Sequence, residues 1–483
     1  MKTSEYVQYD ATGLAALIAQ GEISAREACN AALEVHAATD PAISAVIETW
    51  PEDIDEAIAA AGPQAPFRGV PFLIKDLLVT MKGKKCEDCS RLGEGLVAPE
   101  DSALMRRFRN SGVITFGRTK TPEFGFSPTT EPDYPGPAKN PWNVAHSPGG
   151  SSGGAGAVVA ARVVPIAHAS DAAGSIRIPA SCCGVLGLKP SRGRVTAAPG
   201  SDESLFSMAT EFIVSRTVRD SALMLDLVQG HEVGDPYEIA PPATSYANYL
   251  QQPVPSLKIG LMPHPMGPLR TAPEVLHAVE TAAKLLEGAG HTVELAMPQI
   301  GMDWESFIRM EAALWCVSLQ GLIDGMSSAT GRAPVENFLQ PETYAAYVYG
   351  KEHSASDLMQ ALAQRNVATR SFAEFFTKYD ILLSPVQPEL PYALGTFASG
   401  WGESGLDWTR TVFNRIPFTP IFNVTGLPAI SVPLGHHEAS DLPIGVHLGA
   451  AFGREDLLLK LAGQLEEASP WIGRMPAMTS ALV

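Results

Sequence analysis

The sequence predicts an α/β fold, a large twisted mixed β-sheet flanked by helices on both faces. Three observations carry that expectation. Short apolar runs such as Val70-Pro71-Phe72-Leu73-Ile74 and Val113-Ile114-Thr115-Phe116 have the length and composition of buried strands. Other segments place their apolar residues at helical spacing. The stretches between the two kinds are rich in glycine, as alternating strands and helices require.

Taken in order, Leu14, Leu17 and Ile18, then Ala28, Ala31, Ala32 and Val35, mark two packed helices interrupted at Gly21 and closed by Asp40-Pro41. The two strand candidates above follow. Ala157-Val158-Val159-Ala160-Ala161 reads as an apolar helix, and Val163-Val164-Pro165-Ile166-Ala167 as a strand. A Pro-rich entry (Pro241-Pro242, Pro253, Pro255) then announces an inserted or peripheral region. Inside it, Ile259-Gly260-Leu261 suggests a strand. Val275, Leu276, Val279, Ala282, Ala283 and Leu286 outline an amphipathic helix stopped by Gly288 and Gly290. Strand character returns at Ile381-Leu382-Leu383 and Ala429-Ile430-Ser431-Val432, and a last helix runs through Leu457, Leu458, Leu461 and Leu465. The chain divides accordingly into N-terminal helices (1–66), a core (67–229), a variable helical region (230–379) and a return to the core sheet with the final helix (380–483).

Composition excludes several classes of function. With 483 residues, 45% of them hydrophobic and 18% charged, the chain buries a large core. A net charge of -17 repels a phosphate backbone, so nucleic acid is not an expected partner. No apolar stretch has the length of a bilayer span or the pattern of a secretion signal, so neither a membrane nor export is expected. Six cysteines (Cys29, Cys86, Cys89, Cys182, Cys183, Cys316) in so long a chain make no disulfide framework and suit a reducing, cytoplasmic setting.

The most unusual segment is Ser147-Pro148-Gly149-Gly150-Ser151-Ser152-Gly153-Gly154-Ala155-Gly156. A flexible linker has this composition, but a linker does not run straight into an apolar helix and strand. A phosphate loop needs a Lys after its glycines, and a dinucleotide loop needs a third glycine three residues on; both are missing. Gly149-Gly150-Ser151-Ser152-Gly153 matches a nucleophile elbow in letters, yet no strand precedes it. A second cluster, Ser170-Asp171-Ala172-Ala173-Gly174-Ser175-Ile176-Arg177-Ile178-Pro179-Ala180, reads alone as a strand end and helix start with Ser175 as the cap.

Together with Gly69-Val70-Pro71-Phe72-Leu73-Ile74-Lys75-Asp76 and Gly184-Val185-Leu186-Gly187-Leu188-Lys189-Pro190, these clusters resemble the amidase-signature family. Ser151 and Ser175 stand 24 residues apart, the separation that family shows between its two catalytic serines. The resemblance implies the amidase-signature fold and a serine amide hydrolase in which Ser175 attacks, Ser151 relays the proton and Lys75 accepts it. It also implies a cis peptide before Ser151, permitted by the flanking glycines, and an oxyanion hole of backbone N–H groups from Ala172, Ala173, Gly174 and Ser175. A buried lysine can fill the last role because desolvation favours its neutral amine. Ala173 departs from the commoner glycine and constrains the pocket. The Asp-Ala-Ala-Gly-Ser string resembles the subgroup that hydrolyses 6-aminohexanoate cyclic dimer, which implies small, largely apolar amides as substrates. In this family the 230–379 region shapes the substrate pocket, and Cys316 lies near where the subgroup places a pocket cysteine. Its competing reading is a core cysteine on a helix. Many relatives are dimers, so a homodimer enters as an expectation. No cofactor and no metal are implied.

Other features have plainer readings. His168 invites a triad with Asp171, but residues so close in sequence rarely converge, and a core histidine is preferred. Cys86 and Cys89 form a lone C-x-x-C in a loop, Cys182-Cys183 reads as packing, and His436-His437 as a solvated turn. Rival functions are an aryl-amide or carbamate hydrolase of the same family, an amidotransferase-type subunit releasing ammonia from glutamine, and an inactive binding protein.

Overall fold

The computed structural model describes residues 1–482 and is built on one mixed sheet of eleven strands. In chain order these are β1 (Val46–Thr49), β2 (Pro71–Lys75), β3 (Ile114–Thr119), β4 (Ile166–Asp171), β5 (Leu186–Lys189), β6 (Thr210–Ser215), β7 (Lys258–Leu261), β8 (Thr292–Leu295), β9 (Ile381–Pro385), β10 (Ala429–His437) and β11 (Leu442–Ala450). Across the sheet they run β1-β3-β2-β4-β6-β5-β10-β11-β9-β7-β8. β2 pairs in parallel with both β3 and β4, and β7 with both β8 and β9, while the strands between them are antiparallel. Every residue of β2 to β6 and of β9 is buried, which demands cover on both faces; the polar side chains these strands carry, His168, Ser170 and Asp171 on β4 and Glu211 on β6 among them, are buried with the rest.

The N-terminal helices form where caps dictate. Asp10 accepts the Gly13 N–H to start Ala11–Gln20, which Gly21 stops in the left-handed conformation. Ser24 and Glu27 form a capping box at the start of the next helix. That helix does not close at Asp40-Pro41; it runs to Ile43 with Pro41 inside its last turn. The stop comes from Ser44 in the left-handed region and from the Asp40 carboxylate, which takes the N–H groups of Ala45 and Val46 (2.8 and 3.1 Å). Sequence periodicity had shown no strand after it, yet β1 pairs with β3 at the sheet edge.

The glycine and serine segment is core, not linker. Residues Ser147 to Ala160 are all buried, and Gly153–Ala160 is a helix. Gly150 packs so closely on the turn at Pro128 and Thr129 that an added Cβ would stand 2.7 Å from backbone atoms. The region expected to lie apart from the core instead extends the sheet: β7 and β8 form its far edge, and the helix Pro273–Gly288 packs on β9, β10 and β11. Its long helix Trp304–Thr330 contacts Pro341–Lys351, Ala355–Ala373 and Gly405–Arg415, and so brings the middle of the chain to the carboxyl end of β2. Among the described residues, no helix is long and apolar enough to cross a membrane.

Candidate active site

Lys75 ends β2 and is fully buried. Its Nζ meets three hydroxyl oxygens, Ser151 Oγ at 2.6 Å, Ser170 Oγ at 2.9 Å and Ser152 Oγ at 3.0 Å. Burial pushes its ammonium down to about 7, against the opposing charges of Asp171 and Glu211. A neutral amine in that position can accept a proton from a hydroxyl it touches. The Gly150–Ser151 peptide is cis. Gly125, at φ +69°, leaves the space beside Ser151 open, since a Cβ there would sit 3.3 Å from the hydroxyl. Ser152 is tied at a second point, its Oγ donating to Ser170 O at 3.0 Å and its N–H to Ser175 O at 3.3 Å.

Ser175 follows β4 on a short loop that leads into the helix Arg177–Cys183. It is not that helix's cap. The Asp171 carboxylate takes the N–H groups of Gly174, Ile176 and Arg177 (2.7, 3.1 and 3.4 Å), which leaves the Ser175 hydroxyl without structural work. Asp171 is itself gripped by the Arg177 fork, Nε to Oδ2 and Nη2 to Oδ1, both at 2.9 Å, and by Asn423 Nδ2 at 2.9 Å. Burial alone would raise the Asp171 carboxyl, but the Arg177 charge and these hydrogen bonds outweigh it and hold it below the usual carboxylate range. Thr419 Oγ1 donates to Ala173 O at 2.6 Å and fixes the remaining side of the loop.

Of the expected oxyanion donors, the N–H of Gly174 donates to Asp171 Oδ1 at 2.7 Å in this structure. The N–H groups of Ala172, Ala173 and Ser175 have no acceptor among the described residues and remain open for a ligand oxygen.

A narrow pocket opens at Ser175. Phe126, Pro128, Ile178, Trp315, Phe413 and Ile416 give it an apolar wall, with Gly150 and Ala173 at the serines. Cys316 is not part of this lining; it is fully buried on the helix Trp304–Thr330, and the preceding Trp315 occupies the wall. Burial pushes its thiol up to about 12, so it is a packed apolar-like group. The family matched by this architecture is the one described as Amidase, over residues 25–459. The chain belongs to the amidase family. It is 36% identical over 481 residues to a 6-aminohexanoate-cyclic-dimer hydrolase of Paenarthrobacter ureafaciens, with 97% of this chain and 96% of that one covered. An acylamidase of Rhodococcus erythropolis is 32% identical over 482 residues, with 97% of each covered. A solved structure of 6-aminohexanoate cyclic dimer hydrolase superimposes with a TM-score of 0.93 at 35% identity, covering 98% and 99% of the two chains. The protein is an amidase-family hydrolase of C–N amide bonds.

Reading the sequence alone brought Lys75, Ser151 and Ser175 to attention, but it gave no part to several residues that hold this amidase's site together. Ser152 and Ser170 were quoted only as members of motifs, and both turn out to touch Lys75 Nζ. Asn423 bonds Asp171 from 252 residues away, a separation across which nothing in either segment alone signals the contact. Among the plainer readings, His168 is buried within β4 and pairs with Glu211, not Asp171. All six cysteines are unpaired; Cys183 donates to Pro148 O and Cys182 to Gln387, behind the helix that follows Ser175. His436 and His437 bond Asp441 and Ser440 in the β10–β11 hairpin.

Proposed function

We propose that this amidase hydrolyses small, largely apolar amides, cyclic amide oligomers among them, through an acyl-enzyme on Ser175. The observation that carries the reading is the buried Lys75 amine at 2.6 Å from Ser151 Oγ, beside a Ser175 hydroxyl that has no structural partner and faces an apolar cavity. Ser175 Oγ adds to the amide carbonyl as its proton passes to Ser151 and that of Ser151 to Lys75. The carbonyl oxygen, now an anion, is received by the open N–H groups of Ala172, Ala173 and Ser175. Collapse breaks the C–N bond, and the proton returns through Ser151 to the leaving amine. Water then attacks the Ser175 ester as its proton passes through Ser151 to Lys75; collapse breaks the bond to Ser175 Oγ, which takes that proton back through Ser151, and the acid leaves.

Two things support the substrate class. The cavity is walled by side chains without charge, and similar proteins carry the names cyclic-dimer hydrolase and acylamidase. Trp315 comes from the 230–379 region, which supports reading that region as part of the substrate pocket. The free cysteines suit a cytoplasmic enzyme. A panel of linear aliphatic amides, cyclic amides, aryl amides, carbamates and glutamine tests the reading. Aliphatic and cyclic amides are expected to lead by kcat/KM, with a Ser175-linked acyl adduct on quenched enzyme. A preference for glutamine with ammonia release would replace it by the amidotransferase-type reading.

A further inference from the structure

A second row of buried polar groups lies behind the serines, and the mechanism above does not use it. His168 is fully buried in the middle of β4, where its neighbours in sequence, Ala167 and Ala169, are apolar. The backbone N–H of Lys75 donates to its Nδ1 at 3.3 Å, so the ring proton belongs on Nε2, which lies 3.1 Å from Glu211 Oε2. Glu211 stands on β6 opposite Ser170, one strand from the Lys75 amine. Glu211 also lines a separate pocket, together with Leu77, Asp88 and Ser318 among others. A buried histidine and carboxylate are a poor way to stabilise two central strands, because apolar side chains of the same size serve as well or better. Their position argues for electrostatics instead.

We infer that Glu211, acting through His168, is a positioning residue for Lys75. The carboxylate fixes the imidazole tautomer whose Nδ1 anchors the Lys75 backbone, and its negative charge supports the ammonium that forms when Lys75 takes the proton of the attacking serine. Burial keeps His168 neutral, lowering it against the pull of Glu211. The other charged or titratable groups around Lys75 are Asp171 on β4 and Asp76, Asp88 and Cys89 in the loop after β2. On the β3 side, Arg118 is engaged by Asp76, Glu48 and Glu87, and Lys120 donates to Ser44. A change confined to Glu211 leaves all of these in place.

The inference rests on Lys75 being the base, and the test separates the two. Glu211→Gln keeps the shape and a hydrogen-bond acceptor but removes the charge. In the whole enzyme, its kcat/KM profile is expected to carry the acid limb to lower pH, and its plateau kcat to fall about tenfold, as a weaker base requires. Glu211→Asp, which restores the charge, returns the limb toward that of the parent. An unmoved limb in a folded Glu211→Gln variant overturns the inference. So does a rise in KM alone, which would make Glu211 a substrate contact from the second cavity. His168→Leu supplies a second reading, with more than tenfold loss of kcat expected and parental kcat overturning the anchor. Full activity in Lys75→Ala would instead sink the functional reading beneath all of this.

Discussion

The surroundings of the nucleophile and the wall that faces it solve the problem of buried polar groups in opposite ways. Around Ser175 the charged groups are held by protein partners: Lys75 meets three hydroxyls, and Asp171 meets Arg177, Asn423 and three backbone N–H groups. On the helix Trp304–Thr330 the buried Glu311 carboxyl and Trp315 Nε1, one turn apart, have no protein partner but each other among the described residues. Burial pushes Glu311 up to about 8, so it lies uncharged at neutral pH. A satisfied network costs little reorganisation and holds one geometry. A sparsely bonded wall has no such network to hold it. Changes in the first region are expected to alter the rate, and changes in the second the choice of substrate.

The largest expected effects break the first region at its reacting atoms. Ser175→Ala and Lys75→Ala should each lower kcat by at least about a thousandfold, since groups that act as a unit fail together. The thermal midpoint of Ser175→Ala should hold, because Ser175 Oγ supports nothing structural, whereas Lys75→Ala should lower it, because three buried hydroxyls lose their partner. Stopped-assay kinetics beside a melting curve decide it, and a Ser175→Ala enzyme with more than a few per cent of parental kcat would remove Ser175 as nucleophile.

Next comes the frame beneath it. Arg177→Met leaves Asp171 buried without its counter-charge, and breaking one side of such a pair destabilises by about 3–5 kcal/mol. Denaturant unfolding should register that loss. A variant with unchanged stability would show that the network positions Ser175 without holding the fold.

These two regions also differ in how much the sequence disclosed. Lys75, Ser151 and Ser175 drew attention because Gly-rich strings of fixed spacing surround them, and the α/β sheet was legible from apolar runs in β2, β3, β9 and β10, whereas β4 begins at Ile166, three residues later than its apolar run suggests, and continues through His168, Ser170 and Asp171. The edge strand β1 was not, since Glu48 and Thr49 sit in it half-exposed. The bond from the Gly174 N–H to Asp171 was not legible either, because a sequence does not say which carboxylate will reach a loop N–H. The wall was least legible. Cys316 and Trp315 are neighbours, and only the rotation of a long helix against three others decides which one reaches the cavity.

A smaller effect tests whether the first region works by proton relay. Only the neutral amine of Lys75 accepts a proton, and burial places its transition near 7. Activity is thus present above that value and is lost as pH falls through it, about tenfold in kcat/KM per unit. A limb governed by His168 alone would survive Lys75→Ala. A limb governed by Lys75 disappears with it.

The smallest effect is aimed at the wall. Trp315→Ala removes the largest apolar face of the cavity, and Phe126, whose ring lies 5.5 Å away, loses its neighbour. The expected outcome is a change of about tenfold in the ranking of cyclic, linear and aryl amides, carried by kcat/KM, because lost apolar contact of this size alters discrimination by about 1–3 kcal/mol. The rate of Ser175 acylation by a small activated amide should change far less, since Lys75 and Ser151 are untouched. Cys316→Ala, one residue on, should shift the ranking less than about twofold, as a buried group outside the lining does at most. If Cys316 moves the ranking more than Trp315, the helix presents a different face in the substrate complex, and the wall belongs to the thiol.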